Sequence, residues 1–280
     1  MSFAQTVLLG AVAGFTIFLG LPFGRLRRLS VRTRSFLSVL SAGILLFIFW
    51  DVLTQAHDIL ETALNDGRAG GSWEPFVVRG LMLVAGLGIG ALGLGWLETR
   101  FIRGTPAPEI VGGSSQAMAE TPVAALAAEE RRALAFGMMI AVAIGLHNFS
   151  EGLAIGVSAR AGEIGLAGTL VVGFAVHNAT EGFGIVGPLG GVRPTWGWLF
   201  LAGLVGGGPT FLGSMIGYRV SSEALQIAFY ALAAGAILYV VGQIWGAAQR
   251  RLTTQVVLTG LIVGFLIGLA SDLIITAGGG

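Results

Sequence analysis

Apolar residues gather into eight long runs separated by short polar segments. The runs cover 4–21, 35–55, 76–97, 133–158, 164–187, 196–217, 224–245 and 256–275. Each is close to the roughly 20 residues an α-helix needs to cross the hydrocarbon of a bilayer. Backbone polar groups in lipid must be satisfied within the segment, so such runs predict helices. The pattern therefore predicts an all-α integral membrane protein of eight transmembrane helices. The longest connection, 98–132, separates three helices from five. It holds Thr105-Pro106-Ala107-Pro108 and Gly112-Gly113-Ser114-Ser115, which read as flexible linker. Its Ala/Glu-rich end, 124–132, reads as an extension of the fourth helix. No soluble stretch is long enough to stand alone, so residues 1–280 form one transmembrane domain.

Composition removes the soluble alternatives. Of 280 residues, 54% are hydrophobic and only 11% charged, with mean hydropathy +0.83. A soluble domain carries roughly 25% charged residues. The 46 glycines sit within apolar runs, as in Gly86 to Gly95, where small residues let membrane helices approach closely. No cysteine is present, which excludes disulfides and thiolate metal ligands. No basic segment precedes the first run, so that run reads as a retained helix rather than a cleaved signal.

Every basic residue is arginine, and the arginines orient the chain. With the N-terminus outside, the cytoplasmic connections hold Arg25, Arg27, Arg28, Arg32, Arg34, Arg100, Arg103, Arg131, Arg132, Arg193, Arg250 and Arg251. Only Arg68, Arg79, Arg160 and Arg219 fall on the external side. The positive-inside bias places both termini outside the cytoplasm and 98–132 inside. A cell membrane, inner or plasma, is the expected location. The arginines lack interleaved aromatics that would suggest nucleic acid, and without lysine no phosphate-binding GxxxxGK[ST] loop is possible.

Ionisable residues inside membrane spans are costly and mark function by default. The fourth run contains His147-Asn148-Phe149-Ser150-Glu151-Gly152, and the fifth contains His177-Asn178-Ala179-Thr180-Glu181-Gly182. Residues at i and i+4 share one helix face. His147 and Glu151 therefore project together, as do His177 and Glu181. Two antiparallel helices can bring both pairs into one N/O ligand set for Zn²⁺, Fe²⁺, Mn²⁺ or Cd²⁺. Asn148 and Asn178 can add a carbonyl ligand or orient one. The bland alternative is a His–Glu hydrogen bond joining two helices, and the doubling of the motif weighs against it.

The segments HNFSEGLAIG and HNATEGFGI resemble the fourth and fifth helices of the ZIP (Zrt/Irt-like) metal transporters. LSAGILL in the second run and AAGAILYVV in the seventh are similar to further family segments. The resemblance implies eight helices in an inverted 3+2+3 repeat, with both termini outside. It implies a metal site at His147, Asn148, Glu151, His177, Asn178 and Glu181. Three departures stand out. Ser150 and Thr180 occupy places where relatives often have proline, and their hydroxyls can bond back to the preceding turn. Gly208, before Pro209, stands where many relatives have a glutamate. Gly242-Gln243 replaces acidic residues near the end of the seventh helix. The two lost acidic positions leave the first site intact and argue against a second metal site.

The expected function is transport of a divalent transition metal into the cytoplasm by alternating access, Zn²⁺ foremost. The metal is substrate, with no organic cofactor. The chain is expected to be no enzyme. Expected partners are the lipid bilayer, the metal ion and a second copy in a homodimer. A membrane-embedded zinc hydrolase is the alternative from another class, and a metal-binding membrane protein without flux is a third. Asp51 with His57, Asp58 and Glu61 suggests an external funnel or a solvated helix end. Gln243 suggests pathway or interhelical bonding, and Asp272 a solvated position.

Overall fold

The structure is a computed structural model that describes residues 1–25, 30–102, 122–162, 164–189, 192–220 and 222–277. Its α-helices are α1 (Phe3–Phe15), α2 (Ile17–Gly20), α3 (Val31–Arg68), α4 (Glu74–Leu97), α5 (Pro122–Ala161), α6 (Ile164–Val186), α7 (Trp196–Arg219), α8 (Glu223–Ala248) and α9 (Thr254–Ala277). No strand occurs among the described residues. Seven stretches of the described chain are helical and apolar enough to cross a bilayer. The fifth predicted run is the 23-residue α6, which stands outside those seven. The side chains of 164–170 lie outside the described residues, as does the linker stretch 105–115.

Two helices outrun their apolar cores. The second run ends at Gln55, yet α3 continues as a single 38-residue helix to Arg68. Ala56, Leu60, Glu61, Ala63 and Leu64 are good helix formers and keep the helix going once it leaves apolar surroundings. Gly70, at φ 96°, turns the chain just beyond. Polarity ended the membrane-crossing part and not the helix, which extends about 20 Å further. Likewise α5 starts at Pro122, so the expected extension of the fourth helix is present and much of 98–132 is helical. Ser30 caps α3 through its hydroxyl, which accepts from Thr33 N, and Thr195 caps α7 by accepting from Trp198 N.

The first span is broken. The break is a single turn residue, Thr16, which keeps right-handed helical dihedrals and whose hydroxyl donates to Ala13 O at 2.6 Å. That side-chain bond competes with the backbone ladder and frees the turn.

Tight crossings join helices through facing glycines: Gly14 with Gly207 (α1 and α7), Gly20 with Gly182 (α2 and α6), Gly152 with Gly213 (α5 and α7), Gly43 with Gly264 (α3 and α9), and Gly90 with Gly235 (α4 and α8). A methyl group on Gly152 would lie 2.1 Å from Thr210 O, so backbones touch there directly. These crossings, with the packing of α6 against α1 and α5 and of α3 against α8, place the helices in two sets. One is α1, α2, α5, α6 and α7; the other is α3, α4, α8 and α9. The sets meet mainly through larger side chains, with Phe47, Ile48, Ile140, Ile144 and Ile237 fully buried in the shared core.

The helix ends group as alternating spans require. At one end Arg193 donates to Arg25 O, and Arg25 donates to Pro194 O. At the other, Arg160 donates to Tyr218 O and Arg219 O, and Arg79 pairs with Glu223.

Candidate metal site

The doubled motif occupies the middle of α5 and the later half of α6. In α5, the i and i+4 positions bring His147 and Glu151 together as the spacing predicts. His147 Nε2 lies 3.2 Å from Glu151 Oε1. Glu181 reaches the same imidazole from α6, with Oε1 at 3.9 Å from Nε2. Two ligands on a tetrahedral ion, each about 2.1 Å away, sit about 3.4 Å apart. The two separations bracket that value. The side chain of His177, the fourth predicted ligand, lies outside the described residues. Among the described residues, no group of three or more His, Cys, Asp or Glu is arranged to hold an ion as it stands.

The two asparagines differ in what they grip. Asn148 Nδ2 donates to Glu181 Oε2 at 2.9 Å and to Gly206 O at 3.0 Å. It thereby ties α5 to both α6 and α7 and fixes the rotamer of one carboxylate. Asn178 Nδ2 donates to Ala13 O at 3.0 Å, the carbonyl beside the break in the first span. Both side chains are fully buried. Each amide spends its donors on protein and keeps its oxygen unpartnered.

Buried polar atoms normally find hydrogen-bond partners. Here Asn148 Oδ1, Asn178 Oδ1, Glu151 Oε2 and Thr210 Oγ1 have none. All four are oxygens able to accept, and Glu151 is 4% exposed. Glu151 touches His147, and Asn148 holds Glu181, so at least two of these oxygens belong to residues of the His/Glu cluster, where acceptors without donors suit a cation. Thr210 follows Pro209 within α7 and was missed in the sequence. A hydroxyl next to a proline inside an apolar run, after three glycines, was the available signal. Ser150 does bond back as expected, donating to Leu146 O at a long 3.5 Å.

The other polar candidates separate. Asp51 lies inside α3, half-buried, where its carboxylate accepts from Gln55 Nε2 at 2.9 Å. Gln55 in turn accepts from Tyr230 of α8. Asp51 is within electrostatic reach of His147 and Asp272. It is thus no solvated helix end. His57 and Glu61 pair at 3.6 Å on the exposed part of α3, 70% and 57% exposed, and stand in solvent. Asp272 and Gln243 are half-buried. Gly208 faces open space, with nothing within 4 Å of an added Cβ.

Residues 108–242 match the model of the ZIP zinc transporter family. Over this stretch the chain is similar to the ZIP family. The matched stretch contains both HNxxEG motifs, α5, α6, α7 and most of α8. It bears out the resemblance carried by His147 to Glu181. The ZIP match supports a divalent metal transporter and a multi-pass membrane protein. It describes a transporter family, not an enzyme family. Comparison with curated proteins yields no match.

Proposed function

We propose that this ZIP-type chain carries Zn²⁺, or a similar divalent transition metal, into the cytoplasm through His147, Asn148, Glu151, His177, Asn178 and Glu181. The observation that carries this reading is the set of buried oxygens without donors in the two motifs, next to a histidine shared by two carboxylates. Bare carboxylates in low dielectric are costly, and two of them balance one divalent charge. A second ion would bring two further positive charges to a place where Gly208 offers no carboxylate. One ion per chain follows.

Eight spans with both termini outside the cytoplasm fit the arginine bias, α6 being the span beyond the seven. The two helix sets give alternating access a mechanical basis. Motif helices α5 and α6 belong to one set, and that set can move as a unit because its crossings are backbone to backbone. Protonation of His and Glu competes with the metal and favours release. A homodimer and an inverted 3+2+3 arrangement belong to the same proposal. No observation favours the hydrolase.

Flux separates this reading from a static metal-binding protein. Purified chain in proteoliposomes should show saturable Zn²⁺ uptake above protein-free vesicles. Zinc binding without uptake would sink the transport reading.

A further inference from the structure

A cavity of about 300 Å³ opens between the two helix sets, away from the His/Glu cluster. Phe136 in its wall lies about 16 Å along α5 from His147. The walls come from the start of α3, the extended start of α5, the segment after α6 and the end of α8. These ends carry the arginine excess, so the cavity faces the side the charge bias assigns to the cytoplasm.

The lining combines three chemistries. Arg132 and Arg251 supply two guanidiniums, and neither guanidinium has a hydrogen bond or ion pair among the described residues. Glu129 is the single acid in the lining and leaves a net positive charge. Ser35, only 8% exposed, presents a hydroxyl in the wall. Phe136 and Ile244 provide an apolar floor. Two free guanidinium forks beside a hydroxyl match the oxygens of a phosphate group, which arginine binds with paired N–H donors. None of these residues is a metal ligand, and the positive charge repels a metal cation.

We propose that this cavity binds a phosphate-bearing anion held between Arg132 and Arg251. Two sources share that chemistry. One is the headgroup of an anionic lipid whose acyl chain lies on Phe136 and Ile244; basic pockets between helices near the cytoplasmic surface suit such headgroups. The other is free phosphate. Either ligand touches both helix sets, so its binding favours the arrangement in which this cavity exists.

The test is thermal unfolding of the full chain in neutral detergent. The probes are inorganic phosphate, phosphatidylglycerol and, for comparison, zwitterionic phosphatidylcholine. Phosphate or phosphatidylglycerol should raise the midpoint by about 3 °C or more, with phosphatidylcholine well below. A response to phosphatidylglycerol alone assigns the site to lipid; a response to phosphate assigns it to the free anion. The gain should vanish in Arg132→Gln/Arg251→Gln and persist in Arg68→Gln/Arg100→Gln, which removes the same charge elsewhere. Ala247→Trp, which fills the cavity and keeps both arginines, should also abolish it. No gain in the wild-type chain with either anionic probe would overturn the proposal. So would an equal gain in the cavity variants and the control.

Discussion

At the residue scale, the site rests on how each polar side chain divides its bonds. Asn148 donates to Glu181 and to Gly206 O, which holds one oxygen of the carboxylate and leaves the other toward His147. Replacing it by alanine strands a buried acceptor, at a cost of about 1–3 kcal/mol. Equilibrium titration of the wild-type chain should saturate at one Zn²⁺, and Asn148→Ala should weaken that binding about tenfold. Unchanged affinity in the variant would show that Glu181 holds its place without the amide. The pairing of His147 with Glu151 was legible in the sequence, because it follows from the pitch of one helix. The grip of Asn148 on Glu181 was not, because it depends on how three helices cross. Nor was the docking of Asn178 on Ala13 O, a carbonyl that also accepts from Thr16 in a run that reads as continuous.

At the scale of elements, glycine decides which helices touch. Gly152 and Gly213 bring α5 and α7 into backbone contact beside Glu151. Gly152→Leu should prevent that crossing and sharply lower the yield of folded protein. Gly208→Ala, into open space, should leave the thermal midpoint nearly unchanged. Equal stability of the two variants in detergent would contradict the crossing described. The glycine content announced close packing in the sequence, but not its partners. A glycine that packs and one that faces open space, such as Gly208, look alike in a string of letters. Helix ends were misplaced for a related reason. Hydropathy locates the edge of the membrane at Gln55, whereas helix propensity and the turn at Gly70 locate the end of α3.

At the scale of the whole molecule, the arginine distribution and the grouping of helix ends point the same way. The chain has no cysteine, so single-site labelling reads topology directly. An impermeant thiol reagent applied to sealed cells should label Ser72→Cys, in the exposed turn before α4, and spare Thr253→Cys, in the exposed turn before α9. The reverse pattern would invert the assigned orientation, and with it the direction of transport. The central claim is that Glu151 and Glu181 carry the ion across. It is tested most directly by Zn²⁺ uptake into proteoliposomes containing wild-type, Glu151→Gln or Glu181→Gln chain at equal reconstituted amounts. Each glutamine keeps the shape and removes a charged ligand from a buried site, so each variant should lose at least about tenfold of the uptake rate. Uptake at the wild-type rate in both variants would contradict the account.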